Sequence, residues 1–346
     1  MENSGGGIGN VTPNAALVQM AMGYARSRML VAAARLGVAD ALGDEVRRVE
    51  ELAVACQANE DALYRLLRAL ASIGVTEETA ARQFRLTALG RPLQKDVADS
   101  AWAAVVFWGD LLADEWSLLT ECVRTGKNAA EVRDPRVQSR FAQDPESGAI
   151  FRAVMGTAPA EDYAPIARAW DFSRARVVAD LGGGGGALIL AVLDEYPQVR
   201  GLLVDREASV EAARGRFAKE KHGARCELVV ADLMEAVPEG ADVYLLKHVL
   251  HGCDDAEAVT LLRNVRAVMP EDGTLLAIEF ILPAVVGHAD PQLEVRLMSD
   301  LNMLAVTGGR ERSEREWKVL LEAAGFRLAG VHAAGGELGI VEARVA

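Results

Sequence analysis

The chain is poor in cysteine: four residues in 346, at positions 56, 122, 226 and 253, with no CxxC pair. That excludes a disulfide scaffold and leaves a reduced, cytoplasmic protein with free thiols as the simple reading. Basic residues are also scarce, 37 Lys and Arg against 50 Asp and Glu, for a formal charge of −13. A general nucleic-acid binder needs a basic face to displace counterions, and an anionic lipid surface attracts the same kind of face, so neither partner is expected. No run of about 18 apolar residues occurs, so no segment is read as membrane-spanning. The first basic residue is Arg26. No basic region followed by an apolar stretch precedes it, so no signal peptide is expected.

What the chain does have is length and apolar content. At 51% hydrophobic and 25% charged it is globular. A chain of 346 residues rarely closes around one core, which predicts two domains. Thirty-two glycines are present, and five stand in one run, Gly182 to Gly186.

Composition divides the chain further. Residues 1–12 are Gly- and Asn-rich and are expected to be disordered. Residues 13–98 read as a dimerisation domain. Its first part, 14–42, is Ala-, Leu- and Met-rich, and 27–42 puts Met29, Ala33, Leu36 and Ala39 on one helical stripe. A helix so widely apolar is expected to be covered, here by a second subunit. The segments 49–56 and 59–74, with Asn59 as N-cap and Gly74 as stop, predict a helix-turn-helix, and 75–95 its β-hairpin wing. Residues 45–95 carry eight Lys/Arg against seven Asp/Glu, and the second helix opens with Glu60 and Asp61. That balance favours a winged-helix scaffold for dimerisation over a DNA-binding regulator. A helical connector over 99–172 holds Trp102, Phe107, Trp108, Trp116, Phe141, Phe151 and Trp170, either as core or as the wall of a pocket for a flat ligand.

From residue 173 onward, strand-like and helical runs alternate. The strands are 176–181, 199–205, 226–232, 241–247, 273–282, 326–333 and 339–345, which predicts a doubly wound, mostly parallel α/β sheet. The last two are joined by five residues, too few for a crossover, so the seventh strand must be antiparallel.

VVADLGGGGGALILAVL is a strand, a glycine turn and a helix. Gly182, Gly184 and Ala187 satisfy GxGxxA, and Asp205 ends the next strand. An NAD-dependent oxidoreductase would use such a turn for pyrophosphate and such an acid for a ribose. Three features point elsewhere: the run is mid-chain, a further acid, Asp232, ends the third strand, and the sheet closes antiparallel. S-adenosylmethionine has a ribose diol, an adenine, an ammonium and a sulfonium but no phosphate, and an acidic site suits it better.

These stretches, with LLKHVLH and DLNMLAVTGGRERSERE, closely resemble the plant-type small-molecule O-methyltransferases, a family that includes caffeate-type enzymes and bacterial antibiotic methyltransferases. The resemblance spans nearly the whole chain. It implies a Rossmann-like class I methyltransferase sheet behind a winged-helix dimerisation domain, a homodimer, and S-adenosyl-L-methionine as cofactor. By motif, Gly182 lies beside the cofactor's amino-acid moiety, Asp205 stands at the ribose, Asp232 and Leu233 bracket the adenine, and Gly184, Arg206 and Lys247 are further cofactor contacts. His251 is implied as the general base, flanked by Glu279 and Glu311. Glu279 stands out independently, as a carboxylate inside an apolar strand that needs a partner. Glu311 also reads as a solvated loop charge. No metal is expected: His248 and His251 with Asp254 form no fuller ligand cluster.

Candidates for the wall of an acceptor pocket are Trp108, Phe151, Met155, Met298, Asn302 and Met303, suited to a small aromatic acceptor. Gly252 and Cys253 stand where the family pattern has Asp and then Trp. Oxygen, sulfur and nitrogen therefore all stay open as the methylated atom.

Overall fold

The computed structural model describes residues 12–134, 144–156 and 160–346. The expectation of disorder at the start of the chain and the aromatic Phe141 fall outside these residues, save for Thr12. Two compact units result, Met1–Asp114 and Glu115–Ala346.

In the first unit, three helices, Pro13–Ala21, Gly23–Arg35 and Val38–Leu42, span 13–42, and the last two replace the continuous stripe expected over 27–42. Apolar spacing runs through Gly37, but the backbone there turns left-handed (φ +67°) and the helix restarts. The first helix buries none of its residues, and Leu17, Val18, Met20, Met22 and Tyr24 are all exposed. The helix-turn-helix follows as Val49–Ala55 and Glu60–Ser72, with Asn59 capping the second through the Ala62 N–H. The wing has three strands, not two: β1 (Arg47–Arg48), β2 (Thr76–Ala80) and β3 (Gln83–Leu86), in the order β1-β3-β2. Its arginines are engaged within the unit: Arg82 bonds Glu50 and Glu60, and Arg85 bonds Glu77.

The second unit is built on a sheet in the order β6-β5-β4-β7-β8 (Cys226–Val230, Arg200–Asp205, Val177–Leu181, Val243–Lys247, Thr274–Leu282), all parallel. A two-residue strand, β9 (Arg312–Ser313), pairs with the end of β8. β11 (Leu338–Val345) runs antiparallel between β8 and β10 (Phe326–Ala333), as the short final connection requires. β6 is shorter than expected and ends at Val230. Asp232 therefore sits in the following turn, where its carboxylate accepts the Met234 N–H.

Alternation along each strand splits the side chains between two cores. Ala179, Leu181, Tyr244, Leu246, Leu275 and Ala277 pack under the helices Asp255–Val268 and Glu314–Ala323. Val178, Leu203, Leu245, Leu276 and Ile278 pack under the helix Ala187–Glu195 and its neighbours. Covering both faces accounts for the near-continuous apolar runs in the strands. The strand order reverses between β4 and β7, and an open α/β sheet binds its ligand outside the carboxyl ends at such a point. The glycine run follows β4 there.

Gly182, Gly184 and Gly186 all have positive φ, and a Cβ on Gly186 would lie 2.4 Å from the Phe217 ring. Gly186→Ala combines backbone strain with overpacking and is expected to cost about 2 kcal/mol. Urea denaturation should show a lower midpoint at unchanged slope; an unmoved midpoint would contradict this account.

Candidate active site

The glycine turn is held from the next strand. The Gly182 N–H donates to the Val204 carbonyl (2.7 Å), and Asp205 Oδ2 accepts the Gly184 N–H (2.8 Å). Asp205 Oδ1 accepts the N–H of Arg206, whose own side chain is exposed. A Cβ on Gly182 would fall 2.8 Å from Val249 and 3.9 Å from Leu233, whereas one on Gly184 would meet nothing within 4 Å. The turn, the loop after β6 and the loop after β7 therefore converge.

The loop after β7 carries two histidines. Glu279 in β8 is fully buried, and its Oε1 accepts three consecutive backbone N–H groups, those of Val249, Leu250 and His251, at 3.1, 3.0 and 3.4 Å. Its other oxygen lies 3.3 Å from His248 Nδ1 and 3.5 Å from His251 Nδ1, without the alignment of a hydrogen bond. The closer partner of the His251 ring is Glu311, whose Oε1 is 2.8 Å from Nδ1. A carboxylate there fixes the proton on Nδ1 and leaves Nε2 as the proton acceptor. Glu311 is only 2% exposed, so it is not a solvated loop charge. Ser299 donates its hydroxyl to Glu311 Oε1 (2.8 Å), and Asp300 accepts the Glu311 N–H (2.9 Å).

Electrostatics follow from this geometry. Burial alone would lower the pKa of His251, but Glu279 and Glu311 outweigh it, and the imidazole titrates above the ordinary histidine value. Burial pulls His248 the other way, against Glu279. His248 sits at φ +53°, and its ring stacks on that of His251 at 5.0 Å. Burial also lowers the Lys247 pKa, with Glu279 and Asp180 opposing it; the Lys247 ammonium lies over the Tyr163 ring at 5.1 Å. Asp180, buried beneath the glycine turn, is pushed up to about 7 by desolvation. Burial pushes the Cys253 thiol up to about 11, which keeps it protonated and a poor nucleophile. His248, His251 and Glu279 bring donor atoms within 4.8 Å of one another. Asp254 is not of this group; it caps the helix Asp255–Val268.

The pocket candidates fall in three places. Trp108 lies in the first unit, exposed and edge-on to Phe107. Phe151 and Met155 are four residues apart on the helix Pro145–Gly156, both exposed. Met298, Asn302 and Met303 lie on the helix Pro291–Val306, which Ser299 ties to Glu311. Asn302 is buried and accepts the Trp116 indole N–H at 2.9 Å. Sequence reasoning did not single out Ser299, Asp180, Tyr163 or the buried Arg312. Asp180 had a local signal, a charge inside the apolar strand VVADL, whereas Arg312 sits among the other charges of GGRERSERE.

Comparison with known proteins matches residues 116–327 to an O-methyltransferase domain and residues 18–96 to an O-methyltransferase dimerisation domain. The chain is 35% identical to a phenazine O-methyltransferase of Lysobacter antibioticus, over 97% of each chain. It is 32% identical to an 8-amino-8-demethylriboflavin N,N-dimethyltransferase of Streptomyces davaonensis, over 91% of each. An O-methyltransferase from neocarzinostatin biosynthesis, solved with S-adenosylmethionine and 2-hydroxy-5-methyl naphthoic acid, superposes with a TM-score of 0.79 at 30% identity, covering 93% of this chain and 96% of that one.

Because Glu311 stabilises the imidazolium, Glu311→Gln should move the His251 titration midpoint to lower pH. A histidine Cε1–H NMR titration reads this directly, and a midpoint at or above that of the wild type would refute the pairing.

Proposed function

The chain belongs to the O-methyltransferase family and is an S-adenosyl-L-methionine-dependent methyltransferase; from that premise we propose that it methylates a hydroxyl of an aromatic natural product, with His251 as general base. The observation that carries the proposal is the 2.8 Å contact between buried Glu311 and His251 Nδ1.

The residues present fit the cofactor. The open space at Gly184 is what a bound ligand needs, and Asp205 ends β5 while Asp232 follows the neighbouring strand β6. In this reading Gly182 lies along the amino-acid moiety, Asp205 at the ribose, Asp232 and Leu233 about the adenine, and Gly184, Arg206 and Lys247 make further contacts. The bound cofactor supplies a methyl group already activated on sulfur. What remains for the protein is to align the acceptor and take its proton. A phenol titrates near 10, so at neutral pH it arrives protonated. Neutral His251 takes that proton at Nε2 as the O–H bond breaks, and Glu311 and Glu279 stabilise the imidazolium that forms. Met298, Asn302 and Met303, with Phe151 and Met155, would line the acceptor site. The family match displaces the oxidoreductase reading of the glycine run. The dimerisation-domain match and the exposed apolar side chains of the helix Pro13–Ala21 support a homodimer formed through the first unit rather than a DNA-binding role.

A second reading, methyl transfer to nitrogen or sulfur on the same fold, is favoured by one sequence feature. Gly252 and Cys253 replace the family's Asp and Trp beside the base, and the riboflavin relative is an N,N-dimethyltransferase.

His251→Ala should lower turnover of hydroxylated aromatics by about 10²–10⁴-fold. Affinity for S-adenosylhomocysteine should stay within twofold of the wild type. Turnover is measured as S-adenosylhomocysteine release over a panel of paired hydroxy- and amino-arenes. Full activity of the variant on the hydroxy compounds would sink the base assignment. Activity confined to the amines and insensitive to the substitution would decide for N-methylation.

A further inference from the structure

We infer that Arg312 is a positioning residue for the base: its buried guanidinium locks the turn carrying His251 against the segment carrying Glu311. The inference rests on His251 being the base, and its test includes a readout that does not need turnover.

Arg312 is 1% exposed, yet it carries a full charge. A charge taken out of water must be paired and hydrogen-bonded or it is strongly destabilising. Here the pairing is nearly complete, and its partners flank the base. Nη1 donates to the Leu250 carbonyl at 2.9 Å and the Arg310 carbonyl at 3.3 Å. Nη2 donates to the Cys253 carbonyl at 3.2 Å and to Asp255 Oδ1 at 2.8 Å, and Nε donates to the same carboxylate oxygen at 3.2 Å. The Trp317 ring centroid lies 5.8 Å from the guanidinium carbon. Leu250 and Cys253 bracket His251 on both sides, so one planar fork spans the catalytic turn.

The same fork reaches the other two acidic groups through the chain. Arg312 directly follows Glu311, and as part of β9 it pairs with Ile281, two residues after Glu279. The main chain adds to the grip. The Arg310 N–H donates to the His251 carbonyl (2.8 Å), and Gly309 approaches so closely that a Cβ there would lie 2.0 Å from that oxygen. Packing alone would be met at lower cost by an apolar side chain of similar volume. What a guanidinium adds is fixed geometry, because its donors form a rigid fork that a lysine ammonium cannot copy. The quantity so fixed is the distance between His251 and Glu311.

The groups facing His251 are Lys247 and His248 from β7 and its turn, Glu279 from β8, and Glu311. A merely structural arginine would leave the titration of His251 among them unchanged. In Arg312→Lys the NMR titration midpoint of His251 should fall toward that of an ordinary histidine. The maximal kcat should drop on the order of 10²-fold, as expected for misplaced reacting groups. The affinity for S-adenosylhomocysteine should hold. In a Glu311→Gln background the same substitution should no longer move the midpoint, because the two act through one contact. A folded Arg312→Lys protein with the wild-type midpoint, or a shift that persists in the Glu311→Gln background, would overturn the inference. If Arg312→Lys does not fold, Asp255→Asn weakens the grip from its exposed side: a smaller downward shift upholds the role, and an unmoved midpoint rejects it.

Discussion

A fully buried carboxylate at the end of a central strand has to be satisfied, and the way Glu279 is satisfied shapes everything around it. One of its oxygens gathers three successive N–H groups from the turn after β7. A carboxylate holding several backbone donors stays ionised even in a dry interior, and His248 and His251 help keep the Glu279 pKa low against its burial. The turn is thereby pinned to β8, and the histidine it carries is aimed by a strand rather than left to a flexible loop. Glu311 then completes the histidine at its ring Nδ1. The two acids differ in kind: Glu279 holds the backbone, and Glu311 holds the ring.

That division of labour was only half legible in the sequence. Glu279 could be noticed because a single charge inside LLAIEFIL violates the apolar pattern of a strand. His251 could be noticed because it follows a strand end in an α/β sheet. Which acid meets the imidazole is a matter of distances between segments 28 and 60 residues apart, and no local pattern carries that. For the same reason Glu311 resembled a solvated charge, and Ser299 and Asp300 drew no notice. Arg312 looked like one more charge in GGRERSERE, although it is among the most buried side chains in the protein.

The fold was more legible, because its signals are local and repeated. Strand alternation, the glycine turn and the five-residue final connection each follow from chain geometry, and the sheet order and the antiparallel β11 agree with them. The discrepancies are local too. An Ala-rich stripe ran on through Gly37 because apolar spacing does not register a single left-handed residue. Asp232 lies beyond β6 although the apolar run VV continues into Ala231, because its carboxylate starts a turn by accepting the Met234 N–H.

The antiparallel strand has a consequence for how the molecule is made. β8 carries the carboxylate under the turn that holds His251, and along 275–280 one of its edges pairs with β11, with Glu279 lying opposite Gly339. During synthesis β11 emerges after every other strand of this sheet. Until it inserts between β8 and β10, a long apolar edge stays open beside the turn that holds His251, and such an edge pairs readily with other chains. The strand that carries Glu279 therefore depends for the pairing of this edge on the segment of the sheet that is synthesised last, 338–345.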